Sequence, residues 1–271
     1  MSNPSVPCIA LTIAGSDSSG GAGIQADLKT FAALRVYGAS VITALTAQNT
    51  TGVFGIHDPP PEFVRAQMDA VFTDLAPRAV KIGMLSRAAT IRAVGEGLRH
   101  HGAVNIVLDP VMVSKGGNSL LDPEAVEALT LELVAMADVL TPNLPEAAVL
   151  LGVDEREIAR APQRACERLL ALGAKCVVLK GGHAGGQHSE DLFFDGTLLE
   201  RLPARRILTD NTHGTGCTFS AAMAAALAHK LSPLDAAREA KAYITAAIEA
   251  GSRWRVGRGQ GPVHHFHALW K

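Results

Sequence analysis

The sequence has no marked excess of charge of either sign. Its 271 residues carry a formal net charge of −1 at pH 7, so no basic field favours nucleic acid. No apolar run approaches the length that a membrane span needs. The first residues, MSNPSVPC, lack a charged region followed by an apolar one, which argues against a signal peptide. These absences predict a protein that binds neither nucleic acid nor membrane.

Cysteines and aromatic residues are also few. The four cysteines are scattered without the spacing of metal ligands, which indicates reduced thiols in the cytoplasm. Aromatic residues make up 4% of the chain, whereas hydrophobic residues, mainly alanine, valine and leucine, make up 48%. This composition suits helices layered against a parallel sheet. We expect one domain over residues 1–271, because α/β chains of this size often fold as one.

Short apolar runs alternate with longer helical patterns along the chain. The predicted strands cover residues 8–14, 39–47, 51–57, 79–83, 104–109, 138–141, 176–180, 189–194 and 198–202. The predicted helices begin at 24 and 142 and cover 59–75, 87–101, 123–136, 163–172 and 233–250. Repeated strand and helix units predict a mostly parallel sheet with right-handed crossovers and helices on both faces. We expect the early flap strands and the late hairpin to form one edge of this sheet.

The stretch 209–228, TDNTHGTGCTFSAAMAAALA, predicts an anion-binding site at the start of a helix. A polar segment at residues 211–216, here called the anion loop, leads into an alanine-rich helix. The first N–H groups of a helix and its dipole favour an anion, and Gly214 and Gly216 leave room for a phosphate. Cys217 would lie in the first turn, where a thiol ionises more easily and acts as a base or nucleophile. Alternatively, the glycines form only a tight turn and Cys217 fills space in the core.

Polar residues follow several predicted strands. Asp109 and Thr141 fall at the carboxyl ends of strands, where open α/β sheets bind ligands, and carboxylates there often hold magnesium through water. A loop with Lys115 to Gly117 follows Asp109, and residues 180–183, KGGH, form a glycine corner. Glu146 is a further candidate, although it can equally be a favourable charge in the first turn of a helix.

The loop at residues 15–23, GSDSSGGAG, joins the first strand to the first helix. No Lys-Ser or Lys-Thr follows its glycines, and the G-x-G-x-x-G spacing is absent, so neither standard nucleotide fingerprint is met. We expect the loop to let a small ligand approach the backbone, with Asp17 and Asp27 as polar contacts. The alternative for Asp27 is an exposed helix carboxylate.

The two strands at 39–47 and 51–57 predict a small β-flap over a pocket. Gln48 and Asn49, at their junction, suit the reading of a heterocycle through paired donor and acceptor contacts. Amides in such positions are also common simply as turn residues.

Five segments together resemble a known family. They are GSDSSGGAGIQAD at 15–27, KIGM at 81–84, TPNLPE at 141–146, KGGH at 180–183 and NTHGTGC at 211–217. In this order they resemble the hydroxymethylpyrimidine/phosphomethylpyrimidine kinases of thiamine biosynthesis, which are ribokinase-like proteins. The likeness extends to the GPVHHFHALW ending at 261–270 and so spans essentially the whole chain.

The resemblance implies that ATP phosphorylates 4-amino-5-hydroxymethyl-2-methylpyrimidine and then its monophosphate, with Mg²⁺ as cofactor. It implies a pyrimidine pocket, a set of groups around ATP and magnesium, and an anion hole with its base. The pocket residues would be Gly15, Asp27, Gln48, Met84 and Val111. The ATP and metal groups would be Asp109, Asn143, Glu146, Lys180 and Gly182. The anion hole and base would be Gly214, Thr215, Gly216 and Cys217. Sugar kinases of the wider superfamily often carry aspartate in place of Cys217.

Three rival functions and the assembly state remain open from sequence. A non-catalytic binding or regulatory protein on a kinase fold would have lost the anion hole or Glu146, and both are present. A pyridoxal kinase would use the same fold on a similar hydroxymethyl ring. A cysteine hydrolase would pair His213 with Cys217, but no recognisable third member of a triad accompanies them. We expect a homodimer, because the flap strands would otherwise leave an exposed sheet edge.

Overall fold

A nine-stranded sheet runs through the part of the chain that the computed structural model describes, residues 7–112, 121–182 and 188–270. The predicted loop residues 115–117 and His183 lie outside these ranges. The strands are β1 (Ile9–Asp17), β2 (Tyr37–Asn49), β3 (Gly52–His57), β4 (Ala79–Ile82), β5 (Ile106–Leu108), β6 (Val139–Leu140), β7 (Val177–Leu179), β8 (His188–Phe194) and β9 (Leu199–Arg205).

The order of the strands is β3-β2-β1-β4-β5-β6-β7-β8-β9. Every pair from β2 to β7 is parallel, whereas β3 pairs antiparallel with β2, and β8 and β9 continue antiparallel from β7. The mostly parallel sheet is therefore confirmed. The prediction of a single shared edge is wrong, because β3 and the β8–β9 hairpin lie at opposite ends of the sheet.

Nine α-helices are described. They are α1 (Gly23–Ala33), α2 (Pro61–Leu75), α3 (Ala88–His101), α4 (Pro123–Glu132), α5 (Leu144–Leu151), α6 (Glu155–Arg160), α7 (Pro162–Leu170), α8 (Thr215–Ala228) and α9 (Pro233–Gly251). The short helix α6 was not predicted; Asp154 caps it by accepting a hydrogen bond from the amide of Arg156. In the described ranges, none of these helices combines the length and apolarity that crossing a bilayer demands.

Alternation along the strands divides the core into two layers. In β1, Leu11 and Ile13 join one buried cluster and Ala10 joins the other, because successive side chains of a strand point to opposite faces. The first cluster includes residues of α2 and α3, and the second includes residues of α1, α8 and α9. Helices therefore cover both faces, as predicted. The second layer holds α8, whose residues 218–228 are all buried.

Candidate active site

The carboxyl ends of the parallel strands open into a cavity of about 1190 Å³. This is the edge at which open α/β sheets bind ligands. Of the site residues that the family resemblance implies, all but Asp27 line this cavity: Gly15, Gln48, Met84, Asp109, Val111, Asn143, Glu146, Lys180, Gly182, Gly214, Thr215, Gly216 and Cys217. Segments far apart in sequence thus meet in one space.

The first turn of α8 forms one wall of the cavity. No side chain caps this helix, and its N-cap residue, Gly214, has a left-handed backbone with φ of 79°. A Cβ at position 214 would overlap the carbonyl oxygen of Gly21, so only glycine fits there. A Cβ at Gly216 would instead stand 3.4 Å from Nζ of Lys180. Uncapped N–H groups beside a lysine form an arrangement suited to a phosphate.

A lysine and two carboxylates lie opposite this turn. Nζ of Lys180 is 2.7 Å from Oδ1 of Asp109 and 3.9 Å from Oε2 of Glu146. Ser220 donates a hydrogen bond to Oδ2 of Asp109 at 3.2 Å. Burial opposes ionisation of Asp109, but the ammonium groups of Lys180 and Lys81 hold its pKa below the usual value. Asp109 is therefore an ionised carboxylate that holds Lys180 in place.

Asn143 and Glu146 cap helix α5. Oδ1 of Asn143 accepts from the amide of Glu146, and Oε2 of Glu146 accepts from the amide of Asn143, each at 2.8 Å. This reciprocal pair is a capping box in the first turn of α5, and the metal role of Glu146 stays a prediction. Burial raises the pKa of Glu146 to about 7, although Lys180 opposes the shift. The capping box thus holds the carboxyl group of Glu146 in the cavity wall.

Asp27 does not line the cavity, so the expectation of a direct substrate contact is wrong. Its side chain has no exposed surface. Oδ2 accepts from Oγ1 of Thr12 at 2.6 Å and lies 2.8 Å from Nζ of Lys81. Burial would lower the pKa of Lys81, but the Asp27 carboxylate raises it, so the ammonium stays charged. The alternative of an exposed carboxylate is equally wrong, because the charge of Lys81 holds Asp27 inside.

Gln48 lies near the end of β2 and lines the cavity. Its Oε1 accepts from Oγ1 of Thr46 at 3.2 Å, and its Nε2 lies 3.3 Å from Nε2 of His213. Gly15 was predicted in a loop, but β1 continues through it to Asp17. A Cβ at Gly15 would meet Cε of Met84 at 3.4 Å. We call this part of the cavity lining, Gly15, Gln48 and Met84, the Gln48 compartment. Its polar group is the amide of Gln48.

The surroundings of Cys217 favour the thiol over the thiolate. Burial raises its pKa to about 11, although the Lys81 ammonium opposes that rise. The expected ease of ionisation at a helix N-terminus is therefore wrong in direction. The loss of hydration outweighs the helix dipole at this position.

Three functional candidates escaped the sequence reasoning. Lys81 also lines the cavity; it begins the segment KIGM and is a charge inside the apolar strand AVKI, but no role was assigned to it. Lys241 and Asp191 form a buried ion pair at 2.8 Å in the cavity wall. The sequence gives no spacing that links the two residues, because Asp191 lies in the β8–β9 hairpin and Lys241 lies in α9.

Residues 17–264 match the phosphomethylpyrimidine kinase family. The chain is 58% identical to the hydroxymethylpyrimidine/phosphomethylpyrimidine kinase of Rhizobium meliloti, over 97% of this chain and 98% of that one.

Solved structures show the same likeness. The ADP complex of Bacillus subtilis pyridoxal kinase superposes with a TM-score of 0.87 at 38% identity, over 96% of this chain and 98% of that one. The phosphomethylpyrimidine kinase of Clostridium difficile superposes with a TM-score of 0.78 at 44% identity, over 89% of this chain and 99% of that one. These neighbours confirm the ribokinase-like fold. By sequence and by structure, the chain belongs to the phosphomethylpyrimidine kinase family.

Proposed function

We propose that this protein transfers a phosphoryl group from ATP to 4-amino-5-hydroxymethyl-2-methylpyrimidine and then to the resulting monophosphate. The observation that carries the proposal is the uncapped first turn of α8, which lies between Lys180 on one side and the Gln48 compartment on the other. A kinase needs an anion site, a cation that neutralises phosphate charge and a pocket for the acceptor in one cavity. Relatives named for this activity cover nearly the full length of the chain.

The compartment beside Gln48 is the proposed pyrimidine site. A side-chain amide offers both a donor and an acceptor, which matches the ring nitrogen and exocyclic amine of an aminopyrimidine. Gly15, Met84 and Val111 would border the ring, since all three line the same cavity. Asp27 acts on this site only through Lys81.

Lys180 and the α8 turn are the proposed groups for the transferred phosphoryl. Phosphoryl transfer passes through a loose transition state with charge on the equatorial oxygens, so positioning and charge neutralisation provide most of the catalysis. The N–H groups of Gly214, Gly216 and Cys217 would bind those oxygens, and Lys180 would neutralise them, whereas the amide of Thr215 already donates to the carbonyl of Thr212. Gly182 would border the nucleotide.

The donor set around Lys180 fits a magnesium ion that arrives with ATP. In the described ranges, no group of three or more histidine, cysteine or acidic side chains could hold a metal. Mg²⁺ usually keeps several waters and binds one or two carboxylates together with substrate phosphates. Glu146 and Asp109 would supply those carboxylates. When bound, the ion would neutralise phosphate charge.

Pyridoxal kinase is the second candidate function, and one observation favours it. Solved pyridoxal kinases superpose on this chain with TM-scores of 0.87 and 0.88. Their identities of 38% and 36% are nevertheless below the 58% of the pyrimidine kinase from Rhizobium meliloti. The pyrimidine reading is therefore the stronger proposal.

We further propose a single domain over residues 1–271, a homodimer and a cytoplasmic location. One continuous sheet passes through the described ranges, which supports the single domain. On β3, Val53, Phe54 and Ile56 are 40%, 69% and 47% exposed, and pairing of this edge in a dimer would cover them. The free cysteines support the location. Sedimentation as a monomer at working concentration would reject the dimer.

The first assay offers the purified protein ATP and Mg²⁺ with either the hydroxymethylpyrimidine or pyridoxal. We expect the pyrimidine monophosphate to form with the higher kcat/KM. Preferential formation of pyridoxal phosphate would assign the second function and remove the proposed role of Gln48.

A further inference from the structure

The carboxylate of Asp17 organises the loop between β1 and α1, residues 18–22. Asp17 is 3% exposed. Its Oδ1 accepts from N and Oγ of Ser19 at 2.8 and 2.7 Å, and its Oδ2 accepts from the amides of Gly21 and Ala22 at 3.2 and 2.8 Å. The loop is thus wrapped around one buried charge. Burial opposes that charge, but bonds from His213, Ser19 and Ala22 hold the pKa of Asp17 well below its usual value.

A fifth contact of Asp17 crosses to the anion loop. Nε2 of His213 lies 2.7 Å from Oδ2 of Asp17. An ionised carboxylate only accepts hydrogen bonds, so this ring nitrogen carries the proton and donates it. The His213 side chain is 14% exposed, and its ring lies between the two loops. The contact joins segments that are 196 residues apart in sequence.

The two loops also touch through their backbones. A Cβ at Gly21 would overlap the ring of His213, and a Cβ at Gly214 would overlap the carbonyl oxygen of Gly21. No side chain can therefore separate the loops at this point. Their spacing is set by backbone contact together with the Asp17–His213 hydrogen bond.

The same loop fixes Gln48. Oγ of Ser18 donates to the carbonyl of Gln48 at 2.8 Å and lies 2.9 Å from its amide nitrogen. The Gln48 side chain also lies beside the ring of His213, at 3.3 Å. The proposed ring-reading residue is thus attached to the anion loop through the loop at residues 18–22.

We propose that Asp17 and His213 are positioning residues that hold the Gln48 compartment against the anion loop. They thereby set the distance between the acceptor hydroxyl and the transferred phosphoryl group. This inference rests on the proposed kinase function. Reaction requires the two atoms within about 3–3.5 Å, and a displacement of about 1 Å can reduce the rate roughly 100-fold. Neither side chain acts on the reacting atoms.

The test compares Asp17→Asn and His213→Leu, which removes the ring donor, with the unmodified protein. We expect kcat to fall roughly 10- to 100-fold, while KM for ATP stays nearly constant because the α8 turn and Lys180 are untouched. More ADP should form per phosphorylated product, since water replaces a misplaced hydroxyl. The double variant should lose no more activity than the more damaged single variant, because contacting residues are not additive.

Asp195→Asn is the matched control. Oδ1 of Asp195 likewise accepts hydrogen bonds from its own turn, from N and Oγ1 of Thr197 and from the amide of Leu198. This turn between β8 and β9 is exposed and lies outside the cavity. The control should keep the kcat and the ADP-to-product ratio of the unmodified protein. An equal loss in Asp195→Asn would overturn the proposal.

Hydrogen exchange separates this proposal from the proposed function. His213→Leu should speed exchange of the Gly21 and Ala22 amides, whichever ring compound the protein phosphorylates. If the unmodified protein phosphorylates neither pyrimidine nor pyridoxal, the proposed function fails, and the exchange rates still decide the positioning role. Unchanged exchange in His213→Leu, or unchanged kcat in both single variants, would overturn it.

Discussion

Nζ of Lys81 lies 2.8 Å from Oδ2 of Asp27, and neither side chain has any exposed surface. Thr12 donates a second hydrogen bond to the same oxygen, while Oδ1 of Asp27 has no hydrogen-bond partner in the described ranges. A buried pair of this kind is stable only as a pair, because either charge alone would be left without compensation. Lys81 also borders the cavity, where its charge opposes the rise in the pKa of Cys217.

Replacement of Lys81 by methionine should therefore destabilise the protein strongly. Removing one partner of a buried ion pair costs about 3–5 kcal/mol, which urea unfolding would measure. Arg92→Met breaks an exposed pair with Glu124 and should cost far less. If Asp27→Asn raised KM for the pyrimidine without lowering stability, Asp27 would be a substrate contact after all.

Two glycines of the anion loop should respond differently to alanine. Gly214→Ala should lower the free energy of unfolding by more than about 1 kcal/mol, because φ is positive and the new Cβ overlaps Gly21. Gly216→Ala should fold normally and lose turnover, since its Cβ would face Lys180 and Asp109 at 3.4 and 3.6 Å. Thermal melts and kcat measure the two effects. Full activity of Gly216→Val would refute the anion hole.

Cys217→Ser should slow turnover while ATP binding survives. General bases typically contribute 10²- to 10⁴-fold, but a thiol with a pKa near 11 is protonated at neutral pH, so we expect a loss below roughly 100-fold. Steady-state kinetics and calorimetric titration with ATP would measure both effects. A loss of 1,000-fold or more would restore Cys217 as an essential base, and no loss would remove it from the catalytic residues.

His265 should make the protein less stable in mild acid. It is 4% exposed and lies 3.1 Å from Oγ1 of Thr218 in α8. Burial, reinforced by the charge of Lys29, lowers its pKa to about 3, whereas the unfolded chain binds this proton near pH 6.5. The stability that neutral His265 provides is present above pH 6.5 and is lost as the pH falls below it.

The measurement is urea unfolding of the unmodified protein and of His265→Gln between pH 7.5 and 5. The variant should lose less stability with falling pH, by up to about 1.4 kcal/mol per pH unit. His100→Gln, at an exposed position, should follow the unmodified protein. Parallel curves for His265→Gln and the unmodified protein would contradict the account.

Local signals predicted the elements well. The sequence PNLPE at 142–146 predicted a helix start, and the structure has a capping box there. The glycine-broken loop before an alanine-rich run predicted the start of α8, because glycine and the helix N-terminus act within a few residues. Asp109, Lys180 and Gly182 were placed correctly at one edge, since parallel strands end together.

Long-range relationships could not be predicted in this way. The side to which Asp27 turns depends on Lys81, 54 residues away, and the charge state of Cys217 depends on its burial. The position of the β8–β9 hairpin depends on its pairing with β7, which leaves no mark in either segment alone. His213 was considered only as a partner of Cys217, because its actual partner, Asp17, belongs to the first strand.

The second phosphorylation tests the central claim most directly. The purified protein would receive the pyrimidine monophosphate with ATP and Mg²⁺, and phosphorus NMR would follow the products. We predict that a pyrophosphate forms. This second reaction requires the anion loop to accommodate a phosphate that is already attached to the ring. ATP consumption without pyrophosphate, or phosphorylation of pyridoxal alone, would contradict the proposed function.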